Sequence, residues 1–362
     1  MRLAVVGTGL IGASAGLAAV RAGISEVVGW DEDETALDAA VERGAVEAAG
    51  SLESALLGAD LAFVAVPVAA LPGVVRDVLA AAPEGCTVTD AGSTKAAVCS
   101  AAGSDPRFVG GHPICGAEAR GAARATAELF EGATWFLTPL AATAPERYRG
   151  AHSLATTLGA RPVAIDPASH DRLVAVTSHL PHALANVLVN QAGAARIDGH
   201  DPLATAGGAL RDMTRIAGAN PRIWIDIFLD NRAALSEVLG EHRRRVEQLE
   251  SALADGDAGA VARWIGEASG NRRRMLESAY EDPGALHRLR VHIPDRPGVL
   301  AGIFQALGAE RINVADFDLE HLSSERGGTL TILVTGEGNA AAASRLLEAQ
   351  GYGVVVAPVL DE

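Results

Sequence analysis

Short β-branched runs alternate with Ala-rich stretches through the first 166 residues: Leu3–Val6, Glu26–Trp30, Leu61–Val66, Cys86–Thr89, Phe108–Gly110, Thr134–Leu137 and Pro162–Ile165. Strand and helix patterns in alternation predict a mostly parallel, doubly wound sheet over 1–166. From 167 to 283 the strand-like runs stop. Leu184, Val187 and Leu188 recur at helical spacing, as do Val246, Leu249 and Leu253. This predicts an all-helical region with a long helix from about Pro221 to the Ser251 region, and with Pro181 starting or kinking another. Glu281–Gly284 reads as a linker. Strands return over 286–362: strand His287–Ile293, helix Val299–Leu307, strand Asn313–His321, turn Ser323–Gly328, strand Thr329–Thr335, helix Asn339–Gln350 and strand Gly353–Ala357. The order β-α-β-β-α-β is the ferredoxin-like plan.

Composition narrows the function class. The 362 residues are 49% hydrophobic and 21% charged, which excludes a disordered chain and leaves room for two or three domains. A formal net charge of −15 disfavours nucleic acid and anionic membrane surfaces. Three cysteines, Cys86, Cys99 and Cys115, with no C-x-x-C pair argue against a disulfide framework and a Cys-rich zinc site. No apolar run is long enough to span a membrane. The chain opens on a folded-domain motif rather than a signal peptide, so a cytoplasmic protein is expected.

That motif is Gly7-Thr8-Gly9-Leu10-Ile11-Gly12, between the strand Leu3–Val6 and an Ala/Gly-rich helix. Gly7 permits a tight turn, Gly9 lets backbone approach a pyrophosphate, Gly12 lets helix pack on strand, and the helix N-terminus offers N–H donors to the anion. Asp31, 19 residues past Gly12, ends the next strand, where a carboxylate accepts from ribose hydroxyls. With Glu32, Asp33 and Glu34 after it, a 2′-phosphate is repelled, which predicts NAD rather than NADP. Glu32–Glu34 taken alone also read as a solvated helix start.

Three clusters remain: Asp90-Ala91-Gly92-Ser93-Thr94-Lys95; Gly110-Gly111-His112-Pro113-Ile114-Cys115-Gly116-Ala117-Glu118; and, in the helical region, Ser178-His179-Leu180-Pro181-His182 followed by Arg211-Asp212-Met213-Thr214-Arg215-Ile216-Ala217. In this order, after the dinucleotide motif, they resemble the prephenate/arogenate dehydrogenase family of tyrosine biosynthesis over residues 1 to about 280. Asp295-Arg296-Pro297-Gly298-Val299-Leu300 with Arg311-Ile312-Asn313-Val314 is similar to ACT domains, which bind amino acids. The resemblance implies an α/β chain of three parts. These are an N-terminal Rossmann domain over 1–166, a helical substrate and dimerisation domain over 167–283, and an ACT-like regulatory domain over 286–362.

The resemblance also assigns roles. Oxidation of prephenate moves a hydride to the nicotinamide, releases carbon dioxide and makes the ring aromatic. His112, carried over from the family's H-P motif, would accept the hydroxyl proton, a task suited to a group of near-neutral pKa; taken alone it also reads as a loop histidine bracing the turn before Pro113. Ser93 would bond the same hydroxyl or hold the His112 tautomer. Arg215 matches the family's carboxylate-binding arginine. Asp212 would orient it or form a surface pair. His179 and His182 fall at the substrate pocket. They are three apart, but no third ligand completes a metal site, so no metal is expected. Glu118 would gate or polarise the pocket, and Trp224 reads as helix–helix core. Ala117 stands where many relatives have a hydroxyl residue, which leaves prephenate against arogenate open. Cys115 reads as an inert thiol. A β-hydroxyacid dehydrogenase is disfavoured because the only lysine before residue 280 is Lys95, off the long helix. A non-catalytic NAD and amino-acid sensor is the alternative from another class. Amphipathic surface on the long helix predicts a homodimer. Tyrosine is the expected effector, with Gly298 and Asn313 as its contacts.

Overall fold

The computed structural model describes residues 1–115, 119–279, 282–323 and 327–359. Two compact units divide at Arg243/Arg244.

In the first unit, β1 (Arg2–Val6), α1 (Leu10–Arg21), β2 (Glu26–Trp30), α2 (Glu34–Glu42), β3 (Glu47–Ala48), α3 (Leu52–Leu56), β4 (Leu61–Val64), α4 (Leu71–Ala81), β5 (Thr87–Asp90), α5 (Ala96–Ala102), β6 (Phe108–Pro113), β7 (Thr134–Pro139), α6 (Pro145–Thr157) and β8 (Arg161–Ala164) follow in order. They form an eight-stranded sheet, β3-β2-β1-β4-β5-β6-β7-β8, with the order reversing direction beside β1. All pairs are parallel except β6 with β7. Alternate residues of each strand feed opposite layers: Leu3, Val5, Leu61 and Phe63 one core, Ala4, Val6, Ala62 and Val64 the other. Both faces are covered, which is why these strands read as unbroken apolar runs. The two-residue β3 carries no such pattern and has no counterpart in the sequence reading.

Helices follow: α7 (Pro167–Val174), α8 (Leu180–Ala194), α9 (Gly208–Thr214), α10 (Pro221–Asp230) and α11 (Arg232–Ala254). A π-helical turn, Ala175–His179, joins α7 to α8, and Pro181 falls in the first turn of α8, where its missing N–H costs least. The single helix expected from Pro221 is in fact α10 and α11. The chain leaves helical geometry at Asn231 (φ −97°, ψ 25°), whose side chain is buried and bonded elsewhere.

The second unit holds the end of α11, α12 (Ala258–Ala279) and then β9 (Leu286–Ile293), α13 (Val299–Ala309), β10 (Val314–Ser323), β11 (Gly327–Thr335), α14 (Glu337–Ala349) and β12 (Gly353–Pro358). The sheet is antiparallel, β10-β11-β9-β12. Leu289, Val291, Leu330, Ile332 and Val334 pack under Ile303, Leu307, Ala343 and Leu347. This is the expected β-α-β-β-α-β plan.

Candidate active site

At the carboxyl end of β1, Gly7 N donates to the Trp30 carbonyl (2.8 Å), tying the loop to β2. A side chain at Gly12 would run into the Gly7 carbonyl, so only glycine lets α1 sit this close to the loop. Over Gly9, which caps the twelve-residue α1, a Cβ position has no neighbour within 4 Å. The backbone there is open to a phosphate, beside the helix N-terminus that would hold it. Asp31 closes the loop from β2: Oδ2 accepts from Thr8 N (2.6 Å) and Thr8 Oγ1 (3.2 Å), and Oδ1 from Asp33 N (3.0 Å). Asp33 caps α2 by accepting from Thr35 N, so two of the four successive acids, Asp31 and Asp33, have structural tasks. These residues fit a dinucleotide.

On the far side of the switch point, β5 ends at Asp90, which forms a fully buried ion pair with Lys95. Asp90 also accepts from Gly92 N (2.8 Å) and Gly111 N (2.9 Å), while Lys95 Nζ donates to the Gly111 carbonyl (2.7 Å). A Cβ on Gly111 would strike the Asp90 carbonyl. The D-x-G-S-x-K and G-G-H-P motifs therefore clamp the strand residue directly before His112.

His112 is half-buried at the end of β6. Its Nδ1 lies 2.9 Å from His170 Nε2, and His170 Nδ1 lies 2.8 Å from Asp171 Oδ1. Asp171 accepts from the backbone N–H of Lys95 and of Ala96, both at 2.8 Å. Lost hydration, with His170, Lys95 and His179 nearby, pushes the His112 imidazole well below its ordinary range, so it is neutral at pH 7. Ser93 does not hold the tautomer of His112: Nδ1 is taken by His170, and among the described residues no hydrogen bond joins Ser93 to His112.

His179, buried in the π turn, has Nδ1 3.1 Å from Asn231 Nδ2, and Asn231 Nδ2 also donates to the Asp171 carbonyl (2.8 Å). Burial pushes His179 down to about 4, against the pull of Asp171. His182 stacks on Trp224 with ring centroids 3.6 Å apart, and burial lowers it too. Trp224 also meets His179 edge-on at 6.1 Å, so it belongs to the histidine cluster rather than to a helix–helix core as expected. Arg215 ends α9 and is exposed; just past it, Gly218 N donates to Asn186 Oδ1 (3.3 Å) on α8. Asp212 is exposed and its carbonyl accepts from Arg215 N (3.3 Å). Glu118 and Ala117 lie outside the described residues. Burial raises the Cys115 thiol to about 11, which keeps it protonated. Sequence reasoning missed His170, Asp171 and Asn231. The His-Asp dipeptide nine residues before His179 was the available signal for the first two.

In the second unit, Gly298 caps α13 in the left-handed conformation and Asn313 is exposed before β10. A cleft of about 570 Å³ is lined by His292, Asp295, Arg296, Val299 and Tyr352 among others; Gly298 stands between two of these residues, and Asn313 does not line it.

Residues 15–164 match the nucleotide-binding domain of prephenate dehydrogenase, 166–267 its dimerization domain, and 287–351 the ACT domain. The prephenate dehydrogenase of Bacillus subtilis (strain 168) is 30% identical over 355 residues, covering 96% of this chain and 95% of the relative. The chain belongs to the prephenate dehydrogenase family. A cyclohexadienyl dehydrogenase of Zymomonas mobilis is 31% identical over 70% of this chain and 90% of its own. Among solved structures, the prephenate dehydrogenase of A. aeolicus in complex with hydroxyphenyl propionate and NAD+ is 28% identical with a TM-score of 0.71, over 76% of this chain and 98% of that one. The Synechocystis arogenate dehydrogenase is 30% identical with a TM-score of 0.70, over 76% and 100%. The prephenate dehydrogenase family is one of oxidoreductases, and its Rossmann, helical and ACT parts account for the elements described above. Among the described residues no helix is long and apolar enough to cross a membrane.

Proposed function

We propose that the protein is a cytoplasmic, homodimeric, NAD-dependent prephenate dehydrogenase that converts prephenate to 4-hydroxyphenylpyruvate and carbon dioxide. The observation that carries this reading is His112: neutral, clamped by the Asp90–Lys95 pair, and engaged at one ring nitrogen only by a buried partner. Gly7, Thr8, Gly9, Leu10, Ile11 and Gly12 would hold the cofactor's pyrophosphate, and Asp31 its ribose. NAD, when bound, supplies the acceptor for the hydride that leaves the hydroxyl-bearing ring carbon. His112 takes the hydroxyl proton as that carbon becomes a carbonyl, then returns it to the ring oxygen once carbon dioxide has left and the ring is aromatic. A dianion thus gives a monoanion and carbon dioxide with no net release of a proton. Ser93 bonds the same hydroxyl. Arg215, His179 and His182 bind the carboxylate-bearing end, and the family resemblance gives Glu118 a gating or polarising role. The functional division follows 1–166, 167–283 and 286–362.

Arogenate is the second reading, supported by the likeness to an arogenate dehydrogenase; Ala117, which has no hydroxyl, leaves the choice between the two substrates open. The dimer is supported by apolar groups left exposed on the helical region, Val187, Met213 and Leu229. Tyrosine is the proposed effector, acting at the ACT domain near Gly298 and Asn313. The test follows NADH absorbance with prephenate or arogenate and NAD or NADP. Turnover of prephenate with NAD is expected; exclusive use of arogenate selects the second reading, and no turnover of either overturns both. Tyrosine inhibition that survives in a chain ending near Pro283 removes the regulatory role given to residues 286–362.

A further inference from the structure

Asp171 stands between the two histidines of the site and reaches each through a different group. Its carboxylate leads to His112. Oδ1 accepts from Lys95 N and Oδ2 from Ala96 N, both at 2.8 Å, and Oδ1 lies 2.8 Å from His170 Nδ1. A carboxylate only accepts, so His170 Nδ1 carries the hydrogen. With that as its single ring hydrogen, His170 has a lone pair at Nε2. His112 Nδ1, at 2.9 Å, must donate to it, which leaves His112 Nε2 as an acceptor.

The carbonyl of Asp171 leads to His179. Asn231 presents its amide to that carbonyl at 2.8 Å. Turned over, the amide would set oxygen against oxygen, so the nitrogen faces the carbonyl. The second hydrogen of the same Nδ2 meets His179 Nδ1 at 3.1 Å. His179 Nδ1 therefore accepts, and its Nε2 carries the hydrogen. The two histidines are locked in opposite tautomers, His112 as N δ1–H and His179 as Nε2–H.

We propose that His170 and Asn231 are positioning residues, set by Asp171, that make His112 an acceptor for the substrate's hydroxyl proton and His179 a donor to its anionic end. The match is chemical: a hydroxyl needs a lone pair opposite it, and a carboxylate needs a hydrogen. This assignment rests on the reading of His112 as the proton acceptor.

The decisive measurement is ¹⁵N NMR of the histidine-labelled full-length protein at pH 7 with NAD present, with resonances assigned by loss in His112→Asn and His179→Gln. A protonated Nδ1 on His112 and a protonated Nε2 on His179 are expected. Asn231→Asp, which puts an acceptor opposite His179 Nδ1, should reverse His179 alone and raise KM for prephenate with a smaller effect on kcat. His170→Leu should lower kcat by ~10²–10⁴-fold, because His112 can then rest in the wrong tautomer. His170→Gln, which can accept from His112 and donate to Asp171, should recover most of that loss. A protonated Nε2 on resting His112, or an imidazolium at His170, overturns the proposal, as does equal activity of the Leu and Gln variants when both fold with unchanged melting temperature. If the tautomers are as stated but His112→Asn stays active, the proton-acceptor reading fails and the tautomer assignment stands.

Discussion

The dinucleotide loop draws its groups from one strand–helix–strand unit, Gly7 to Asp31, and most of them are backbone N–H groups. The histidine cluster draws on β6, α7, the π turn, α8 and the residue between α10 and α11, and nearly all its working atoms are on side chains. A backbone cradle survives most substitutions that keep its shape, and fails where a side chain enters a close contact, as at Gly12. A side-chain network has no such redundancy. Removing one member leaves a buried partner without its bond, and that costs more than the bond itself contributed.

Separate tests of the two regions should therefore give separate signatures. The largest effect is expected from His112→Asn: kcat should fall by ~10²–10⁴-fold while NAD affinity, read by calorimetry, hardly changes. Loss of both together would mean that the regions are not independent. Next comes the clamp beneath the cluster. Lys95→Met strands the buried Asp90 and should destabilise the protein by about 3–5 kcal/mol in denaturant unfolding. Adding Asp90→Leu should restore part of it, since an apolar pair leaves no charge uncompensated. On the loop side, Asp31→Ser should shift the ratio of kcat/KM towards NADP by roughly 5–30-fold, the value of removing one nearby like charge at about 1–2 kcal/mol. The unmutated enzyme should clearly prefer NAD.

The smallest effect concerns pH. His179 falls from its ordinary 6.5 to about 4 in the fold. Between those values the unfolded chain binds a proton that the folded one refuses. Stability from this burial is thus complete above pH 6.5 and declines as pH drops towards 4. Urea unfolding at several pH values should show that slope, and His179→Gln should flatten it. The neutral form of His112 is kept by the same logic, so the acid limb of the rate profile should lie below 6.5.

The contrast also explains what could be read in advance. Leu3–Val6 and its companions were legible because strands buried on both faces leave continuous apolar runs. Gly7–Gly12 was legible because its parts are adjacent, and the ferredoxin-like tail because each face alternates. The reversal of β7 against β6 left no trace in either strand, since pairing direction is set by the connection between them. Asn231 gave no warning within an otherwise helical pattern, because its partners, the Asp171 carbonyl and His179, lie more than fifty residues away. His170 and Asp171 were hidden for the same reason. Trp224 reads as core in the sequence because an aromatic residue in a helical stretch looks the same whether it meets a neighbouring helix or a pair of histidines.

The π turn Ala175–His179 has a consequence for how this stretch of chain tolerates change in length. It carries α7 into α8 with one residue more than an α-helical turn would use. One residue is about 100° of rotation about the helix axis. The turn thus acts as a phase adjuster: His170 and Asp171 address β6 and α5 on one bearing, while His179 addresses Asn231 on another. Deleting Val176 would remove the extra residue and rotate one set of contacts by about 100° away from the other. A change that leaves every working side chain in place in the sequence would take the site apart.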